Sequence, residues 1–387
     1  MGLLSELINK KPFEVGTLTF RPPYVTFPFS AFAGRELGIL TDPERTTPIH
    51  DEHLKNKAPM EDVGQWKRPW YFPIEKENMH EAVLRECKAA RNDVAVMDAS
   101  TLGKIDIQGP DAAIFLDRIY TNMFSNLKIG TSRYGLMCGV DGMVFDDGVT
   151  TRISENRFLM TTTTSGAAKV LDWLEEWLQT EWPDLNVFCT SVTEHWATIA
   201  LVGPKSRNLI KKLSPDLDVS NENFAFMENK YAKVAGIPSR IARISFSGEL
   251  AYEINIESWY AKELWKEIFK QGKEFNVTPY GTETMHVLRA EKGFVIVGQE
   301  TDGTQTPQDL GMDWIVSKKK DFIGKRSFRR LDTAKSDRHH LVGLLPLDKK
   351  KLLPEGAYII NKDSFKKDSK NSHIGYVTSS YTSDVLA

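Results

Sequence analysis

The chain of 387 residues is long enough for two or three domains. Its composition is 41% hydrophobic and 26% charged with a net charge of −2, which gives no basis for nucleic acid or an anionic membrane as partner. No apolar run approaches the roughly 20 residues of a membrane span. Residues 1–30 hold Lys10, Lys11 and Glu14 rather than the apolar core of a secretory signal, and Cys87, Cys138 and Cys189 form no CxxC pair. A reducing, cytoplasmic setting with buried thiols is therefore expected.

Residues 1–75 read as an N-terminal arm. Its stretch FRPPYVTFPF has three prolines and four aromatics, a mixture that excludes a long helix and favours extended chain laid along a surface. RTTPIHDEH, from Arg45 to His53, brings two histidines and two carboxylates together. Without HExxH spacing it reads as a polar capped turn, and no metal is expected. Regular structure is expected from Asn78: a helix over 81–91, strands over 94–97 and 104–108, and a helix after Gly109-Pro110-Asp111 with Ala112, Phe115, Leu116 and Ile119 inward.

Arg133 to Thr150, RYGLMCGVDGMVFDDGVT, reads as a hairpin turning at Asp141-Gly142, where both turn residues would take positive φ. The second strand ends in adjacent carboxylates, Asp146 and Asp147. Strand side chains alternate faces, so one of the pair points inward and needs partners or a ligand, unless the two only close a turn before Gly148. A strand over 158–164 and a helix over 166–178 follow, with Ser165 as candidate cap.

A second round repeats the pattern. LVGPKSRNLI echoes IQGPDAAIFL, which points to an internal α/β duplication. Strands are expected over 196–202, 240–245 and 251–256, with helices over 206–213, 259–272 and 282–292, the last stopped by Gly293. Glu253 lies mid-strand, where propensity disfavours it, so it is either solvated or compensated. His286 reads as a packed histidine, and the loop over 298–311 lines a cleft or lies on the surface. Beyond about 316, strands over 341–345 and 373–378 suggest a small antiparallel β domain. Rossmann, P-loop, zinc and nucleophile-elbow patterns are all missing.

Longer motifs carry a family resemblance. EDVGQWKRPWYFP, DASTLGKIDIQGPDAA, DGMVFDDGVT, RISFSGELAYEIN, TPYGTETMHVLRAEKGF and KKKDFIGKRS resemble the C-terminal half of the alpha subunits of heterotetrameric sarcosine oxidases. That half is a branch of the glycine-cleavage T-protein (aminomethyltransferase) superfamily. The resemblance implies an α+β fold: a three-subdomain cloverleaf over 76–315 and a small C-terminal β-barrel-like domain over 316–387 that ends early beside the family. It implies tetrahydrofolate as the cofactor of this chain, with Asp146 catalytic and Glu253, Tyr134 and Arg289 binding folate, Arg289 meeting the folate tail or fixing an acidic neighbour. FAD, FMN and NAD are expected only on other parts of such a complex, and other sarcosine oxidase subunits or a flavoprotein are the expected partners. The activity implied is capture of the carbon of sarcosine as 5,10-methylenetetrahydrofolate. A stand-alone aminomethyl or methyl transferase, and a non-catalytic scaffold, are the alternatives. One departure is Phe246 ahead of Ser247-Gly248-Glu249, where T-proteins commonly carry Tyr.

Overall fold

The computed structural model describes residues 7–9, 44–348, 351–360 and 373–385. The proline- and aromatic-rich stretch over 20–29 lies outside the described residues. In chain order the elements are α1 (His50–Lys55), β1 (Met60–Val63), β2 (Trp66–Pro69), α2 (Met79–Asn92), β3 (Ala95–Asp98), β4 (Gly103–Gln108), α3 (Ala112–Ile119), β5 (Ser132–Cys138), β6 (Val144–Ser154), β7 (Arg157–Thr162), α4 (Ala167–Thr180), β8 (Phe188–Ser191), β9 (Trp196–Val202), α5 (Ser206–Leu213), β10 (Asn229–Val234), β11 (Ile237–Ala242), β12 (Ala251–Glu257), α6 (Ala261–Gln271), β13 (Thr278–Pro279), α7 (Thr282–Glu291), β14 (Tyr358–Ile360) and β15 (His373–Tyr376).

Two sheets organise the fold. One runs β5-β6-β7-β4-β8 and the other β10-β11-β12-β9-β3-β13. Each buries one face under a pair of helices. In the first sheet Ile105, Ile107, Phe158 and Met160 pack beneath Phe115 and Leu116 of α3 and Val170 and Leu174 of α4. In the second, Val96, Ile199, Leu201, Tyr252, Ile254 and Ile256 pack beneath Leu209 and Ile210 of α5 and Leu264, Trp265 and Ile268 of α6. The period-2 alternation of these strands against the 3.6-residue stripe of the helices is what sorts apolar side chains to these faces. The opposite face of the second sheet is covered at one end by α2 and α7, through Val83, Cys87, Val287 and Leu288 on Met97, Ala200 and Ala251.

The two Gly-Pro passages take matching shapes. Gly109 has φ +140 and Gly203 φ +120, and a Cβ would sit 2.0 Å from the Asn186 carbonyl oxygen at the first and 2.4 Å from that of Asp93 at the second. Only glycine tolerates both the backbone angle and the approach. Each lets a helix, α3 or α5, fold back onto the strand it leaves.

The sheets also meet at their edges. Ser132 of β5 donates its backbone N–H to Met227, and Asn229 of β10 donates to Gly130. The side chains continue the seam, with Asn229 Nδ2 donating to Ser132 Oγ at 2.6 Å and Ser132 Oγ within 2.8 Å of Thr151 Oγ1.

Several local expectations need correction. The β5–β6 loop is not a two-residue type I′ turn, since Gly142 has positive φ and Asp141 does not. Instead Asp141 accepts the Met143 N–H through its side chain, and Gly139 closes on Met143. Arg45 to His53 leads into α1 rather than a simple turn, with His53 buried 2.9 Å from Asp98 and Thr47 donating to the same carboxylate. Helix α4 is capped by Gly166, not by the Ser165 side chain. Residues 341–345 form no strand, because no described strand pairs with them and their apolar side chains stay largely in solvent. The C-terminal part has one two-stranded sheet, β14–β15, and no closed barrel among the described residues. The mixed α/β character itself is as expected.

Candidate functional site

The acidic pair separates onto the two faces of β6. Val144 pairs with Cys138, but Asp146 pairs with Met137 and Asp147 with Leu136, so Phe145 is an extra, bulged residue. The bulge reverses the face that simple alternation assigns. Val144 and Leu136 share an apolar cluster with Val295, Leu310 and Met312, and it is Asp147, not Asp146, that follows Val144 onto that side.

Asp146 faces the helical side and is fully partnered. It accepts the Asp147 N–H at 2.7 Å, the Thr163 N–H at 3.2 Å and the Thr163 hydroxyl at 2.9 Å. The same Thr163 hydroxyl accepts the Gly166 N–H, so the carboxylate buttresses the turn into α4. Burial pushes its pKa up and these three donors pull it back.

Asp147 lies on the face with Val149 and Thr151. Its Oδ2 accepts a hydrogen bond from the Tyr134 hydroxyl at 2.6 Å. Burial first, and then the charge of Asp146, raise its carboxyl to about 7, against the pull of the Tyr134 hydrogen bond. Burial and the carboxylate beside it also push the Tyr134 phenol up. Tyr134 therefore remains a donor across the neutral range.

Glu253 comes from the second sheet, and it lines a cavity with Val149 and Thr151, which share the Asp147 face of β6. Along β12, Tyr252 and Ile254 face the helices, so Glu253 and Asn255 face the other way. The Glu253 carboxylate accepts no hydrogen bond from any described residue. Burial raises its pKa, and the charges of Arg240 and Lys104 oppose the rise. Lys104 is itself buried, donating to the Ser100 and Leu102 carbonyl oxygens. Burial pulls its ammonium down to about 7. A cavity of about 20 Å³ lies between the sheets, lined by Val149, Thr151, Leu159, Thr161, Arg240, Ile244, Glu253 and Asn255.

Arg289 is engaged in contacts of its own. Its Nη1 pairs with Glu300 at 2.7 Å, both side chains buried, and also donates to the Phe294 carbonyl oxygen. Glu300 in turn accepts the Ile296 N–H and the Ser379 hydroxyl. His286 is packed, its Nδ1 3.3 Å from the Tyr381 hydroxyl.

Of the four residues singled out in the sequence, Tyr134 and Glu253 come from facing strand surfaces, while Asp146 and Arg289 are held in contacts of their own. Arg240 lines the cavity with Glu253, Lys104 is close enough for its charge to act on the Glu253 carboxyl, and Asp147 lies on the β6 face that Val149 and Thr151 share. A signal was present for Arg240, a cation inside the apolar run of a central strand.

This fold and cleft define a class. Residues 49–320 match the family model for the GCVT N-terminal domain, and the chain belongs to that family. It is similar to the sarcosine oxidase subunit alpha of Corynebacterium sp. (strain U-96), 58% identical over all of this chain and 40% of that protein. The subunit alpha of Rhizobium meliloti is 41% identical over 98% of this chain and 38% of its own length. The chain thus spans about two fifths of these relatives. The aminomethyltransferase of Thermotoga sp. (strain RQ2) is 27% identical over 88% of this chain and 87% of that protein. Among solved structures, the glycine cleavage system aminomethyltransferase T of Bartonella henselae superposes with a TM-score of 0.71 at 24% identity, over 82% of each chain, and shares the fold.

Proposed function

We propose that this chain is the tetrahydrofolate-binding part of a sarcosine oxidase alpha-like subunit. In this reading it takes up the carbon from oxidative N-demethylation of sarcosine as 5,10-methylenetetrahydrofolate. The observation that carries the proposal is the Glu253 carboxylate, half-buried at the edge of a cavity with both oxygens free of hydrogen bonds from described residues. Such a group calls for a donor-rich ligand. A reduced pterin presents a ring N–H and an amino group side by side, which one carboxylate accepts as a pair. The cavity holds about one water, so seating the ring requires its lining side chains to move apart. The names of the relatives, sarcosine oxidase subunit alpha and aminomethyltransferase, support the same class of ligand.

Bound there, the reduced folate supplies nucleophilic nitrogens for a one-carbon electrophile. Asp147 is the residue we assign to the proton. Its carboxyl is held near neutrality, Tyr134 occupies Oδ2, and Oδ1 is left to accept a proton and release it. Asp146 acts through the turn it supports. Arg289 positions the chain around Glu300 rather than touching the ring. A three-lobed cloverleaf arrangement, a flavoprotein partner that oxidises the N-methyl amine, flavin and nicotinamide cofactors on other parts of the complex, and a cytoplasmic setting belong to the same proposal. No helix among the described residues is long and apolar enough to cross a membrane.

A second reading, a stand-alone aminomethyltransferase, is favoured by one observation: the chain covers nearly the whole length of the Thermotoga relative. The two separate in one assay. The chain is mixed with a sarcosine-oxidising flavoprotein, sarcosine and tetrahydrofolate, and methylenetetrahydrofolate and free formaldehyde are followed against the spontaneous condensation seen without the chain. The first reading predicts a rate above that background, lost in Asp147→Ala. A rate equal to background overturns it, and aminomethyl transfer without the flavoprotein supports the second.

A further inference from the structure

The polar groups that line the cavity are Thr151, Thr161, Arg240, Glu253 and Asn255, and most are already engaged. Thr151 is bound to Ser132. Thr161 donates to the Val149 carbonyl oxygen and accepts the Val149 N–H. Asn255 accepts from Thr198 and donates to the Arg240 and Glu253 backbone oxygens. Lys104, which faces the cleft from β4, spends its ammonium on two backbone carbonyls.

Two groups keep spare capacity, and they are complementary. Glu253 has two free acceptor oxygens. Arg240, 6% exposed, donates Nη1 to Asn229 Oδ1 at 2.8 Å, while its Nε and Nη2 meet no acceptor among the described residues. Asn229 is itself tied to Ser132, so the guanidinium is anchored from one side with its remaining donors free. Arg240 pairs with Asn255 and Ala242 with Glu253, which makes Arg240 and Glu253 diagonal neighbours on one face of β11–β12. No ion pair closes between them.

A ligand edge that satisfies both must offer donors to the carboxylate and an acceptor beside them to the guanidinium. An anionic edge is repelled by Glu253, and an edge of donors alone leaves Arg240 unmet. We propose that Arg240 is a specificity-determining residue that reads a ring carbonyl oxygen next to the N–H and amino group read by Glu253. This inference rests on the folate reading. The pterin ring has that order along one edge, with carbonyl, ring N–H and amino group in succession.

The test compares tetrahydrofolate with tetrahydropterin, which keeps the ring and lacks the anionic tail, against wild type, Arg240→Met and Arg240→Lys. Arg240→Met is expected to weaken both ligands equally, roughly 10- to 150-fold. Arg240→Lys keeps the charge but loses the fork, and is expected to weaken both several-fold. It decides the question if the methionine variant does not fold. Unchanged affinities in the variants overturn the inference alone. Loss confined to tetrahydrofolate also overturns it, because the guanidinium would then serve the tail. A wild-type chain that binds neither ligand overturns the folate reading and this inference with it.

Discussion

Replacing Asp147 with asparagine is expected to leave stability almost unchanged in acid and to raise it as pH climbs. The carboxyl has an ordinary value of 3.8 and is lifted to about 7 by burial and by Asp146. An unfolded chain releases this proton near pH 4, whereas the folded chain keeps it until pH nears 7. Between those values the unfolded state binds fewer protons, so stability falls by about 1.4 kcal/mol per pH unit and by roughly 4 kcal/mol in all. Asparagine carries no charge and still offers Oδ1 to the Tyr134 hydroxyl, so the variant escapes that slope. Glu86, also raised to about 7 by burial, tilts both proteins alike and cancels in the difference. Urea unfolding at pH 4, 6 and 8 reads the effect. The account predicts curves that coincide at pH 4 and separate by a few kcal/mol at pH 8, the variant being the more stable. A constant separation across the series refutes the placement of Asp147.

Other perturbations separate support from chemistry. Asp146→Ala removes an acceptor of three hydrogen bonds and is expected to cost about 2–4 kcal/mol in denaturant melts. Arg289→Met strands the buried Glu300 carboxylate and is expected to cost about 3–5 kcal/mol, read by the same melts. Gly203→Ala drives a Cβ toward the Asp93 carbonyl at a φ of +120 and is expected to destabilise by more than about 2 kcal/mol, seen as a drop in Tm.

Much of the fold was legible because the pattern was local. Strands β4, β7, β9 and β12 and helices α2, α3, α5, α6 and α7 follow from apolar periodicity and from Gly-Pro punctuation, as does the repeated turn at Gly109 and Gly203. The helix stop at Gly293, with φ +69, was equally readable. Short edge pieces such as β8 and β13 were not, since an edge strand draws its order from a neighbour rather than from its own sequence.

The site was half legible. Carboxylates stood out at 146, 147 and 253, and Tyr134 carried a hydroxyl into the same region. Which aspartate faces the cleft was hidden, because the answer turns on one bulged residue. Counting in twos from Val144 selects Asp146, and the extra Phe145 selects Asp147. The diagonal placement of Arg240 beside Glu253 depends on the register of two neighbouring strands, which no single motif reveals. The tie between Arg289 and Glu300 was invisible for a different reason: a loop brings the acid back, and no periodicity marks that return.

The most direct measurement is a tetrahydrofolate titration of the wild-type chain beside Glu253→Ala. Removing a carboxylate that takes two donors from the ring is expected to weaken binding by about 1.5–3 kcal/mol, roughly 10- to 150-fold in Kd. Equal dissociation constants for the two proteins would contradict the account.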